Sequence, residues 1–347
     1  MLAAVYRGPG SFRVEEIPIP TPGPGEMLVR LEACGVCGTD IKKIQQGLLT
    51  GPRVFGHEMA GVVVQDGGRF REGDRVVLHH HIPCRACFYC ERGAYAQCDH
   101  YKRNGTTAGF EPSGGGFAEY VKALPWIVEH GTILIPDGVS AEEASFVEPV
   151  NTCLKAVLRA QVERGQTVLV VGQGPIGLLL MQLCRLEGAD VFTSDTLADR
   201  LDLSRDLGAA TAFSASTDDV AAEAKALTAG RGVDTAFVAA VGPAAFAQAL
   251  AATRPAGRIL VFAATSPGET AVVDLGALSA QEKQILTSYS ASVDVQDRAA
   301  QLIFGRELRV RELVSHRLPL ASAVQAVELA ARPALGVRKV VIQMASA

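Results

Sequence analysis

The chain has 347 residues, 48% of them hydrophobic and 20% charged, with a formal net charge of −4. That length supports two domains of ordinary size, and the composition is that of a folded globular protein, not a disordered one. Basic residues never run longer than a pair such as Lys42-Lys43. With a mildly acidic balance, this leaves no electrostatic footprint for nucleic acid or for an acidic membrane surface.

The opening "MLAAVYRGPG" lacks the basic start and apolar stretch of a secretory leader. The expectation is a cytoplasmic protein with reduced thiols, in which clustered cysteines point to metal before disulfides. From there to about residue 147 the pattern is β-rich. "FRVEEIPI" (12–19) and "EMLVRLEAC" (26–34) partly alternate apolar with polar residues, as half-buried strands do, and the Pro/Gly run "PIPTPGPGE" (18–26) joins them. "GVVVQDGGRFREGDRVVLHHH" (61–81) reads as two strands around a polar, glycine-rich turn.

After Pro149 the texture changes. "TVLVVG", "ADVFTSD", "TAFSAS", "VDTAFVAAVG" and "GRILVFAAT" are short apolar runs separated by segments of helical spacing. Alternation of this kind predicts a parallel sheet covered by helices. The pattern is mixed again from about 289 and closes on a strand-like "VRKVVIQM". The expected plan is a β-rich unit (1–150), an inserted α/β unit (151–288), and a C-terminal return to the first (289–347).

"TVLVVGQGPIGLLLMQLC" (167–184) is uncharged and long enough to raise a membrane span, but Gly172, Gly174, Pro175 and Gly177 interrupt it midway. A buried strand followed by a buried helix explains it better. The same residues spell G-x-G-x-x-G, with Pro175 and Ile176 between the last two glycines. The first glycine permits a tight turn, the second close approach to a pyrophosphate, and the third tight helix–strand packing, while the helix N-terminus faces the phosphates. Asp195 closes the next strand, 18 residues beyond Gly177, where a carboxylate takes the ribose hydroxyls of NAD and repels the 2′-phosphate of NADP. Arg200 either flanks the adenine, or helps tolerate NADP, or is a solvated helix arginine.

Four of the eight cysteines fall in one stretch, Cys84, Cys87, Cys90 and Cys98, spaced C-x2-C-x2-C-x7-C. That spacing can wrap a loop around one ion, and four thiolates close its tetrahedron, which makes a structural zinc site. An iron–sulfur cluster is the rival; the x7 interval and the missing proline after the last cysteine weigh against it. Cys37, His57, Glu58 and Glu148 are also good Zn²⁺ ligand types, and three of them would leave a coordination position open, but spacing alone does not join them.

"GVCGTD", "GHEMAG", the four-cysteine loop, "GGGFAEYV", "EPVNTC" and "VVGQGPIG" together resemble the zinc-dependent medium-chain alcohol dehydrogenases, in the same order, from near residue 1 to about 342. The resemblance implies an α/β fold: a GroES-like catalytic domain with an inserted Rossmann domain. It implies a catalytic zinc on Cys37, His57 and either Glu58 or Glu148, and a structural zinc on Cys84, Cys87, Cys90 and Cys98. The Glu-Pro pair at 148–149 looks like the sorbitol and polyol branch. Lys339 matches a basic position that reaches the cofactor pyrophosphate, and otherwise reads as a strand-edge lysine in solvent.

The implied activity is reversible hydride transfer between a secondary alcohol or polyol and NAD, giving a ketone or aldehyde, in a dimer or tetramer. Threonine-dehydrogenase-like, aminocyclitol-type and non-catalytic relatives are the alternatives. Thr39 matches the family's hydroxyl relay. Three residues on, where many relatives have histidine, stands Lys42, which either shuttles the proton with a depressed pKa or contacts the cofactor. The triplet His79-His80-His81 reads as strand and turn packing.

Overall fold

A computed structural model describes the chain except residues 48, 81, 102, 104, 111–113, 264–267 and 345–347. His81 therefore lies outside the described residues. The chain forms two compact units. One comprises Met1–Asn151, Ala291–Pro333 and Val337–Ala347; the other comprises Thr152–Ser290 with Ala334–Gly336.

The first unit is built on a mixed sheet. Its main path runs Val314–Pro319, Lys339–Gln343, Met27–Gly35, Glu58–Gln65, Arg75–His79 and Thr132–Leu134. Met27–Gly35 alternates buried and half-buried positions along most of its length, as its sequence pattern predicts. Met27, Val29 and Leu31 join Tyr6, Met59, Leu78 and Phe117 in a single apolar cluster, each at most 0% exposed. Burial on that scale, at roughly 25 cal/mol per Å² of apolar surface, is what fixes the strand register.

Register has a direct consequence for chemistry. Gly35 pairs with Val341 on one side and Glu58 on the other, and Glu58 pairs in turn with His79. Residues distant in sequence thus stand in one row across four strands. Just after Gly35 the chain leaves the sheet and enters the helix Gly38–Gln46, with Cys37 as its extended N-cap. Gly47 ends that helix in the left-handed region (φ 62°), where a Cβ would also press on Pro9 at 2.7 Å, so glycine is required there.

The second unit is a six-stranded, all-parallel sheet. Its order is Thr211–Ser214, Asp190–Asp195, Thr167–Val171, Val233–Val238, Thr253–Val261, Gln284–Thr287. The order reverses beside Thr167–Val171, which is the switch point of a doubly wound Rossmann sheet. Val168, Leu169 and Val170 are fully buried, which explains why "TVLVVG" reads as a continuous apolar run with no alternation. Among the described residues no helix is long and apolar enough to cross a membrane.

Candidate active site and metal centres

In the second unit the glycine loop has the geometry its spacing predicts. Gly172 sits at φ 92°, a conformation that side chains rarely adopt, and any Cβ there would meet Ala240 at 2.8 Å. Gly174 is the N-cap of the helix Pro175–Leu186, and Pro175 stands in its first turn, where a missing N–H costs nothing. A Cβ on Gly177 would overlap the Gly172 carbonyl oxygen, so the helix approaches the turn as closely as backbone allows. Ile176 is half-buried in the same turn. A Cβ on Gly174, by contrast, would meet only the end of Arg200, at 3.8 Å, which leaves the mouth of the cradle open to a phosphate.

Asp195 ends its strand 8% exposed. One carboxylate oxygen accepts the Gln173 N–H at 2.6 Å and the other the Leu197 N–H at 2.9 Å. It therefore holds the glycine loop as well as being placed for a ribose. Arg200 lies 3.7 Å from the same carboxylate, so the two residues named separately from sequence form one charged pair beside the loop. This cradle fits a dinucleotide: glycines where a Cβ would collide, a helix N-terminus above them, and an acid at the next strand end.

In the first unit, Cys37, His57 and Glu58 bring one ligand atom each to within 4.8 Å of one another. A thiolate, an imidazole and a carboxylate are a donor set zinc accepts, with room for a fourth ligand. His57 is held by Asp40, 1% exposed, whose carboxylate lies 3.2 Å from Nδ1 and leaves Nε2 for a metal. Burial pushes the Asp40 carboxyl up, but the charge and hydrogen bond of His57 outweigh it and hold it below the usual range. Burial likewise works against the His57 cation, and Asp40 and Cys37 together still lift it well above its ordinary value. The pocket is built for positive charge.

Lys339, expected at the cofactor pyrophosphate or in solvent, is 4% exposed; its Nζ pairs with Glu58 and donates to the Val36 carbonyl at 3.2 Å. The sheet places it there, because its strand runs antiparallel beside Met27–Gly35. Burial acts to lower the lysine pKa, yet Glu58 raises it above the normal value, so it stays charged. Gly35 makes the pair possible. A Cβ there would overlap the Glu58 carboxylate and meet Lys339 Cε at 2.8 Å. Only one oxygen of Glu58 is used by the lysine, which leaves the other for a metal.

Glu148 is not one of the three residues whose donor atoms gather within 4.8 Å. It sits in the first turn of the helix Val147–Arg159, 6% exposed. Burial lifts its pKa to about 7, with Glu58 adding to the rise and His57 opposing it. The start of that helix is anchored by Asn151, fully buried, which donates to the Ser292 carbonyl at 2.9 Å and accepts its N–H at 2.8 Å. Thr39 and Lys42 lie one turn apart on the helix Gly38–Gln46, both half-buried. Burial, followed by the nearby His57 charge, depresses His79 to about 4.

The second candidate metal centre is separate and self-contained. Cys84, Cys87, Cys90 and Cys98 also bring their sulfurs to within 4.8 Å of one another, and none is in a disulfide. Backbone N–H groups of Cys84 and His100 point at the Cys98 sulfur, at 3.3 and 3.4 Å. Backbone donors from Asp99 and Cys90 lower the Cys87 thiol to about 6, whereas burial raises the Cys90 thiol and raises Cys98 against the pull of its own N–H donors. Donors aimed at sulfur stabilise thiolate, the form a metal requires. The four cysteines fit a closed tetrahedral site.

Sequence reasoning missed Asp40, the Gly35 clearance, and the Glu58–Lys339 pairing. Only Asp40 left a local signal, as the acid of "CGTD" three residues into a helix start.

Comparison with known proteins agrees with this geometry. Residues 23–136 match the alcohol dehydrogenase GroES-like domain, and residues 175–304 the zinc-binding dehydrogenase family. The chain is 31% identical over 278 residues to sorbitol dehydrogenase of Bacillus subtilis (strain 168), covering 78% of this chain and 76% of that one. It is 32% identical over 269 residues to L-threonine 3-dehydrogenase of Pyrococcus horikoshii, covering 75% and 74%. A Sinorhizobium meliloti 1021 protein solved bound to NADP superposes with TM-score 0.88 at 30% identity, over 99% of this chain and 98% of that one. The chain belongs to the zinc-dependent medium-chain alcohol dehydrogenases, on the sorbitol-like side of the family. It is an oxidoreductase acting on alcohol groups, with a GroES-like domain and a Rossmann domain.

Proposed function

We propose that the enzyme oxidises a secondary alcohol of the polyol class reversibly to a ketone, with NAD in preference to NADP. The observation that carries this reading is the gathering of Cys37, His57 and Glu58 within 4.8 Å, with Asp40 and Lys339 already seated against two of them. Zinc, when bound, supplies a Lewis acid that acidifies a hydroxyl or polarises a carbonyl, and the dinucleotide, when bound, supplies the hydride partner. The proposal assigns Cys37, His57 and Glu58 to that zinc. Glu148, raised to about 7, stands by as a carboxyl that can take up or release a proton, or replace Glu58 as ligand.

The remaining chemistry belongs to the chain. Asp40 fixes the His57 tautomer, and Lys339 pairs with Glu58 in a buried place. Thr39 carries the hydroxyl proton outward, and Lys42, one turn on, receives it or contacts the cofactor. In the Rossmann unit the glycine loop takes the pyrophosphate. Asp195 takes the ribose hydroxyls, and its negative charge supports NAD over NADP, with Arg200 as its counterion.

The proposal includes a structural zinc on Cys84, Cys87, Cys90 and Cys98, hence two ions per chain. It also includes a cytoplasmic dimer or tetramer. Supporting the oligomer, Gln284–Thr287 is the last strand of the Rossmann sheet, and Val272, Leu275, Ile285 and Tyr289 stand exposed near it. The test is a panel of polyols, simple secondary alcohols and amino alcohols assayed with NAD and NADP, beside a zinc count. Oxidation of polyols with NAD at two zincs per chain is expected. Preference for threonine would favour the threonine-dehydrogenase-like reading, and silence across the panel with less than about one zinc per chain would overturn both.

A further inference from the structure

Within "GQGPIG" (172–177) Gln173 carries the only polar side chain, and that side chain is fully buried. Its Nε2 donates to the Val170 carbonyl at 3.0 Å and to the Gly172 carbonyl at 3.1 Å, so both amide protons are used. The Gln173 backbone N–H donates to Asp195 at 2.6 Å. The peptide between Gly172 and Gln173 is therefore clamped at both ends, its oxygen by the side-chain amide and its N–H by the acid. Gly172 N–H is fixed as well, on the Ser194 carbonyl at 2.7 Å. The other end of the amide, Oε1, is buried and has no hydrogen-bond partner among the described residues. Turning the amide over would set that oxygen against two carbonyls, so the orientation is forced.

We infer that the Gln173 side chain is a positioning residue for the dinucleotide, a strut that holds the glycine loop in its binding shape before the pyrophosphate arrives. The inference rests on the reading of this cradle as the cofactor site. Three glycines in six residues leave the loop many conformations, and ordering it at the moment of binding lowers affinity. The strut sits where that order matters. A Cβ on Gly177 would overlap the Gly172 carbonyl oxygen and come within 3.3 Å of Gln173 Nε2, so the amide lies at the point where helix meets turn. Fixing that point aims the first-turn N–H groups of the helix Pro175–Leu186, which no helical carbonyl takes. Packing alone does not ask for an amide here. Leucine has nearly the same size and would leave no side-chain oxygen buried without a donor. Leucine would instead leave the buried Gly172 carbonyl without this donor, so one unpaired oxygen replaces another and stability changes little. What the amide adds is the shape of the loop.

The test compares the full zinc-loaded chain as wild type, Gln173→Leu and Gln173→Met, the last two being apolar side chains of similar size. Calorimetry measures binding of NAD, ADP-ribose and 5′-AMP. Hydrogen exchange is followed at the Gly172 and Gln173 amides without cofactor, and thermal midpoints are recorded. Both variants are expected to bind NAD and ADP-ribose about tenfold more weakly than wild type. 5′-AMP, which lacks the pyrophosphate, should lose less. The two amides should exchange faster while the thermal midpoint stays near that of wild type, a split that a merely structural role does not give. Unchanged NAD affinity in both variants overturns the inference, and so does an equal loss on 5′-AMP. Variants that melt early or do not fold place Gln173 in stability alone and overturn it too. If wild type itself binds neither NAD nor NADP, the reading of the cradle fails and takes the strut with it; if wild type binds and the variants bind as tightly, only the strut fails.

Discussion

The two candidate metal centres are built on opposite plans. The four-cysteine lobe draws every ligand from residues 84–98, and its Cys98 sulfur accepts the backbone N–H groups of Cys84 and His100 beside it. The other centre draws Cys37 from a helix N-cap and His57 and Glu58 from a strand start. Its supports, Asp40 and Lys339, come from 17 and 281 residues away along the chain. A local loop can be closed by four like ligands and becomes inert. A site assembled by a sheet holds three unlike ligands and keeps a position open for chemistry. The lobe depends on its own loop; the open site depends on the whole first unit.

Breaking each centre at one ligand should therefore give opposite phenotypes. Cys37→Ser removes a ligand of the open site, and kcat/KM for the alcohol should fall about a thousandfold or more, the share a Lewis acid of several kcal/mol supplies. One zinc per chain should remain, and the thermal midpoint should move little. Cys98→Ser should do the reverse, with the lobe zinc lost and stability lowered by more than about 4 kcal/mol, as expected for losing a structural metal. Activity per folded molecule should persist. Metal analysis, calorimetric melting and steady-state kinetics on both variants check the contrast; equal stability losses would erase it.

The same contrast explains what was legible in the sequence. The lobe and the glycine loop can be read from spacing because their geometry is local: a loop wraps an ion, and a turn exposes its N–H groups. Cys37, His57 and Glu58 became a set only through resemblance to a family, since nothing in their spacing shows the strand pairing that joins them. Lys339 was left between the cofactor pyrophosphate and solvent because a lysine in a C-terminal strand gives no sign of which strand lies beside it. The register of Gly35, Glu58 and Val341 decides that, and register is a property of the packed sheet. The contact of His80 with His57 was hidden for the same reason. Its relation to His57 exists only across two strands.

A gentler change sharpens the comparison by touching a support and sparing the ligands. Asp40→Asn keeps the size of the side chain but no longer holds His57 with a charge, and zinc affinity at the open site should drop about 10- to 100-fold. Competition with a chelator, followed by the zinc remaining per chain, should show one ion leaving early and the lobe ion staying. Simultaneous release of both would mean the centres are not independent.

The smallest effect concerns the approach to Glu148. Glu143 closes a capping box with Ser140 at the helix Ala141–Ala144, just before the helix that carries Glu148, and pairs with Arg311 at 2.7 Å. Burial works to raise its pKa, but the hydrogen bonds from Arg311 and Ser140 outweigh that and bring it from 4.5 to about 2. A carboxyl depressed in the native state stabilises the fold above its unfolded pKa, and that contribution disappears as pH falls through the native value. The stability difference between wild type and Glu143→Gln should therefore be level at neutral pH and shrink between pH 4.5 and 2. Zinc leaves both proteins as the ligands take up protons, so this difference isolates the carboxyl. It should stay modest, because Arg311 is exposed and solvent screens the pair. Denaturant midpoints along that pH range measure it, and a difference that grows toward acid would place the anchor elsewhere. The lobe zinc count at neutral pH should be the same in both proteins, since none of its four ligands is carried by the segment that Glu143 ties down.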